Sequence, residues 1–96
     1  MPATPRQRSA FYELIASIRS PKEARQLLED LLTPQELDQC SERWQLVQML
    51  AAGTPQREIA KQLGVSIATV TRGSRMLQHG SGGFAAFLKK RLTKRA

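Results

Sequence analysis

TPQREIAKQLGVSIATVTRGSRML, residues 54 to 77, has the spacing of a helix-turn-helix, and its reading decides the fold. A polar first helix keeps Ile59, Ala60 and Leu63 on its inner side; Gly64 turns the corner, Val65 packs beneath it, and a second helix opens at Ser66 with Val70 facing back. Each residue type has a steric reason. Ala60 is small where the second helix crosses. Gly64 supplies a turn conformation that residues with a Cβ adopt only at a cost. Ile59, Leu63, Val65 and Val70 fill the wedge between two helices crossing at a steep angle. In DNA-binding versions of this motif the second helix lies in the major groove with its first residues at the base edges. Ile67, Ala68, Thr69 and Thr71 hold those places here and are short enough to let the helix sit deep. The alternative is an ordinary helical hairpin in a core, and the polar, basic outer face of residues 54–79 weighs against it.

Charge is placed to match. The 96 residues carry a net charge of +7; residues 1–53 sum to −1, whereas residues 54–96 hold nine basic groups against Glu58 alone, for +8. That is the electrostatic footprint of a phosphate-binding surface on the half that contains the motif. Basic charge by itself suits RNA or an anionic membrane equally well; the coincidence with the motif gives it weight. Cys40, the single cysteine, has no internal disulfide partner, and its position on an apolar helix face predicts a buried thiol. No run approaches the ~18 apolar residues of a membrane span, and the start of the chain lacks a signal-peptide core, so the expectation is a soluble, cytoplasmic protein with no membrane partner.

Caps and periods predict six helices and no sheet. Phe11, Leu14, Ile15 and Ile18 form an i, i+3, i+4, i+7 stripe. Ser20-Pro21-Lys22-Glu23 reads as a capping box opening a helix with Ala24, Leu27, Leu28 and Leu31 inside, and Thr33-Pro34-Gln35-Glu36 opens a third with Leu37, Cys40, Trp44, Val47 and Leu50 inside. Gly53 stops that helix, Thr54-Pro55 repeats the start signal, Ser66 caps the reading helix, and His79-Gly80 ends it. Beyond the Ser81-Gly82-Gly83 joint, Phe84, Phe87, Leu88 and Leu92 mark a last, basic helix. Residues 1–8 and 93–96 are expected to fray. The chain reads as one all-α domain over residues 1–96, too small to bury a large core alone. Two heads related by a two-fold axis would read half-sites about 34 Å apart, so a homodimer bound to double-stranded DNA is expected.

At this point the residues carry a resemblance. LLTPQEL (31–37), Arg43, QREIAKQLG (56–64) and above all IATVTRGS (67–74) resemble the Trp repressor family, over about half the chain from Leu31 to Leu77. YELIASIRSPKEARQLLEDL (12–31) and HGSGGF (79–84) are more similar to a sister group of Trp-repressor-like regulators. The resemblance implies an all-helical, intertwined, six-helix homodimer whose reading heads are positioned by bound L-tryptophan. It implies that Arg43 and Arg72 sandwich the indole, as guanidinium planes stack on aromatic faces. It further implies that a side chain at Gly73 would fill the ligand slot and that Thr33 stands near the ligand's amino group. Met76 departs from the pattern by replacing a serine that would partner that amino group, Asp30 replaces an apolar leucine, and the Gly53-Thr54-Pro55 loop is one residue shorter than in tryptophan-responding members.

The expected DNA contacts are Gln56 and Arg57 at the start of the first helix, Lys61 further along it, and Ile67, Ala68, Thr69, Thr71 and Arg75 on the second; solvated surface charge is the alternative for the charged ones. The apolar and hydroxyl tips suit methyl contacts and water-bridged readout more than bidentate recognition, and the Trp repressor family is itself known for water-mediated base contacts. Trp44 is expected in the core or a dimer interface. A lone His79 without a neighbouring cysteine gives no metal site, and no nucleophile with an adjacent base points to an enzyme. Three functions follow as expectations: a sequence-specific repressor controlled by an amino-acid effector, L-tryptophan first; a ligand-independent DNA-binding regulator; or a basic protein-interaction module.

Overall fold

Most helix starts are written in a few local residues, as the computed structural model shows at Thr4, Ser20, Thr33 and Ser66. It describes the backbone of residues 1–95 and the side chains of residues 1–91. The elements are α1 (Pro5–Ala16), α2 (Pro21–Leu31), α3 (Pro34–Ala51), α4 (Gln56–Leu63), α5 (Ile67–His79) and α6 (Gly83–Arg95), with no strand among the described residues. The helical fold class is therefore the expected one.

Several boundaries differ from expectation for identifiable reasons. Helix α1 begins at Pro5, inside the stretch expected to fray: Thr4 Oγ1 accepts from the Gln7 N–H at 3.1 Å while the Thr4 N–H donates to Gln7 Oε1 at 2.8 Å, a complete capping box. The helix ends at Ala16, leaving Ile18 outside it. Ser20 caps α2, but Glu23 reaches one residue too far back and accepts from the Arg19 N–H at 2.9 Å. Thr54 does not cap α4. Gly53 ends α3 in a Schellman motif, its φ +87°, with Gly53 N–H donating to Leu50 O and Thr54 N–H to Met49 O, both at 3.0 Å. That turn ties Thr54 backwards, so the N-cap falls on Pro55, which has no side-chain donor or acceptor. Ala96 and the side chains of residues 92–95 lie outside the described residues, and with them the packing of Leu92 and most of the expected fraying at 93–96; the α6 backbone runs to Arg95.

The backbone groups into two compact units, Met1–Leu37 and Asp38–Ala96. The first has apolar helix faces without a core: α1 and α2 hold no buried residue, and Phe11, Tyr12, Leu14 and Leu31 are all more than 40% exposed (42%, 64%, 42% and 42%). The second is organised around Leu46, Val47, Ile59, Ala60 and Val70, surrounded by half-buried Trp44, Leu50, Leu63, Val65, Leu77, Phe84 and Leu88. The expected wedge is present: Ile59 and Val70 are fully buried and Ala60 lies at the crossing. Gly64 takes the left-handed conformation (φ 66°, ψ 33°), and the Val65 N–H donates to Ala60 O at 3.1 Å. Trp44 stacks on Phe84 with ring centroids 6.4 Å apart. Cys40, expected buried, is exposed: it shares a stripe with Trp44 and Val47, but the buried residues of α3, Leu46 and Val47, lie in the second half of the helix.

The start of α3 is a full capping box. The Glu36 N–H donates to Thr33 Oγ1 at 3.1 Å and the Thr33 N–H donates to Glu36 Oε1 at 2.9 Å. Donation from the Thr33 backbone, then from its side chain, holds the Glu36 carboxyl below the usual glutamate range. A lowered folded-state pKa contributes stability that is present above the ordinary glutamate value and lost as pH falls through the lowered one. In urea unfolding across a pH series, the parent protein should therefore exceed Glu36→Gln in stability at neutral pH and lose that advantage in acid; a difference independent of pH contradicts this.

Candidate nucleic-acid interface and adjoining cleft

The expected reading residues stand where a duplex could meet them. On α5, Val70 and Gly73 turn into the core, which leaves Ile67 (47% exposed), Ala68 and Arg75 on the outer side, while Thr69 is exposed at the edge of the cleft that Arg72 and Met76 also line. Gln56, Arg57 and Lys61 are exposed on α4. Ser66 caps α5 by accepting from the Thr69 N–H at 3.1 Å, and its hydroxyl lies 3.0 Å from the Thr69 hydroxyl, so Thr69 presents its methyl group more freely than its oxygen. Thr71 is half-buried, and its hydroxyl donates to Gln56 Oε1 at 3.2 Å. Glu58, the one acid among residues 54–96, accepts from Gln62 Nε2 at 3.0 Å along its own helix.

Within the unit Asp38–Ala96, α3 and α5 enclose an open cleft of about 730 Å³. It brings together four of the five residues expected at an effector: Arg43 from α3, and Arg72, Gly73 and Met76 from α5. Leu46, Leu63, Val65 and Phe84 give it apolar walls. Thr33, the fifth, belongs to the other unit and is engaged as the cap of α3. Gly73 lines the cleft and has a packing role besides. A Cβ there would collide with Leu46 Cδ2 and come within 3.8 Å of Leu50 Cδ1, so the glycine is required first by the crossing of α5 over α3. Sequence reading missed Gln39 and Glu42, which also line the cleft. The signal was available: residues 39, 42, 43 and 46 share one stripe of a helix. Beside the cleft, Trp44, Met76, Phe84 and Phe87 line a smaller apolar recess of about 480 Å³, so Met76 and Phe84 border both.

The model of the Trp repressor protein family matches residues 6–92. The chain belongs to the Trp repressor family. It is 39% identical over 88 residues to a Trp operon repressor homolog of Pasteurella multocida, covering 91% of this chain and 86% of that one. A homolog of the same name from Mannheimia succiniciproducens is 41% identical over 85 residues, 88% of this chain and 84% of the relative. Among solved structures, a TrpR like protein from Eubacterium eligens superposes with a TM-score of 0.80 at 28% identity, covering 85% and 84% of the two chains. Trp repressor family proteins are DNA-binding transcriptional regulators, not enzymes, and this chain shares that class. Among the described residues no helix is long and apolar enough to cross a membrane.

The Gly73 crossing gives a test with a change of sign. Ala is favoured over Gly inside a helix by about 1 kcal/mol, whereas overpacking a core typically costs about 1–3 kcal/mol. Gly73→Ala should lower the unfolding free energy in the parent, because Leu46 is 3% exposed and has little room to yield. In a Leu46→Ala background the same change should be stabilising. Denaturant unfolding of the four proteins decides it.

Proposed function

We propose that this chain is a sequence-specific transcriptional repressor that binds double-stranded operator DNA as a homodimer in the cytoplasm, with L-tryptophan as its effector. The observation that carries the reading is the cleft holding Arg43 and Arg72 against the back of the reading helix: Arg72 lies on α5 between Thr71, on the DNA side, and Gly73, at the crossing with α3. The residues fit an aromatic amino acid. Two guanidinium groups can stack on an indole face or pair with a carboxylate, and Leu46, Val65 and Phe84 accept the ring. Glu42 supplies a carboxylate for the ammonium, the role that Met76 cannot take. A ligand held by α3 and α5 together favours one placement of the reading helix over others, and its differential affinity for that placement is the coupling between effector and operator.

Gln56, Arg57, Lys61, Thr71 and Arg75 are proposed as the phosphate and base-edge contacts, with Ile67, Ala68 and Thr69 offering methyl groups to the bases. In a gel-shift assay on a selected duplex, L-tryptophan should tighten binding by about tenfold or more, within the usual range of allosteric coupling. Arg43→Ala should retain ligand-free DNA binding and lose most of that enhancement. Equal binding with and without L-tryptophan rejects it as co-repressor. A ligand-independent regulator is the second reading, and the feature favouring it is Met76, which borders the cleft while 51% exposed.

The homodimer rests on apolar surface that one copy leaves open: Phe11, Tyr12, Leu14 and Leu31 in the first unit, and Phe87, 56% exposed, in the second. Exposed apolar side chains in such number mark an association surface. Sedimentation of the purified chain at micromolar concentration should give twice the 10.7 kDa chain mass, and Tyr12→Glu should shift the equilibrium towards single chains. A monomer throughout that range contradicts the dimer.

A further inference from the structure

We propose that Thr71 acts on DNA binding through Gln56, as a positioning residue, and that the Gln56 amide makes the phosphate contact for both. The inference rests on the reading of this face as the DNA surface. Its starting point is the bond between the Thr71 hydroxyl and Gln56 Oε1 at 3.2 Å, which joins residues fifteen positions apart across the helix-turn-helix corner. Thr71 is half-buried on the reading helix, and Gln56 is exposed as the first residue of α4. An amide has one acceptor oxygen and two N–H donors. With its oxygen turned to Thr71, Gln56 has its NH2 group free to face outward, and phosphate oxygens are only acceptors. The bond therefore selects one of the two faces of the amide and restrains a long, rotamer-rich side chain. The same bond ties the second helix to the start of the first, so a phosphate held by Gln56 sets the register of Ile67 and Ala68 against the bases.

The test is a double-mutant cycle on the tightest duplex that the protein selects from a random-sequence pool, at one fixed salt concentration. Thr71→Val keeps the branched shape and removes the hydroxyl, and Gln56→Ala removes the amide. Each should weaken binding by about three- to tenfold, the range of one lost hydrogen bond. The double variant should bind no worse than the weaker single variant, within about twofold, because the two residues serve one contact. Thr71→Ser should restore parental affinity. Gln56→Glu accepts the same hydrogen bond but turns a charged oxygen outward, and it should bind more weakly than Gln56→Ala. Melting temperatures of all variants separate loss of fold from loss of contact. Losses that multiply in the double variant, or a Thr71→Val protein with parental affinity, overturn the proposal while leaving the DNA-binding reading intact. A parent chain that selects no duplex overturns both, and only that result does so.

Discussion

The seating of α5 on α3 is the constraint on which the second unit depends. At Gly73 the side chain of Leu46 takes the space a methyl group would need, and Val70, one turn earlier, is sealed in the same core. This contact fixes the inner face of the reading helix, which determines by default which side chains face outward. Arg72, beside Gly73 on the same helix, lines the cleft together with Arg43. The cleft is thus a by-product of the packing that holds the reading helix, which is why a molecule lodged there would bear on DNA binding.

The core itself contains no buried polar or charged residue, and no buried side-chain nitrogen or oxygen lacks a partner among the described residues. Its specificity comes from shape, through Ala60 and Gly73 as narrow points and Ile59, Val47 and Val70 as fillers. Polar interactions are pushed to the periphery, into caps such as Ser66 with Thr69 and pairs such as Arg25 with Glu29, whose N–O distance is 2.9 Å at a well-exposed site. Exposed pairs of that kind add little to stability.

Much of this was legible because helix-turn-helix geometry depends on residue size at fixed positions. Ile59, Ala60, Gly64 and Val70 announce the fold without any distant information, and the S/T-P starts locate α2 and α3. What the sequence hid was non-local or off by one. The Thr4–Gln7 box was written plainly but at the chain end, where polar residues read as fraying. The turn at Gly53 consumed Thr54, which no local rule weighs against its capping role. Gly73 looked like a ligand feature because its neighbour across the crossing, Leu46, lies 27 positions away. Cys40 was misjudged because it shares the stripe of Trp44 and Val47 but lies nearer the start of α3, and periodicity does not say how far along a helix the covered part extends.

The capping boxes have a consequence for how the chain acquires its shape. A boundary specified within four residues can be found by a segment acting alone, so the rods can begin to form before any of them meets another. Helix-rich chains with mainly short-range contacts fold quickly for this reason. The demanding events are then the dockings of helix on helix, such as α5 on α4 and Phe84 on Trp44, which bring together residues far apart along the polypeptide. Nascent chains would carry finished rods to an unfinished bundle.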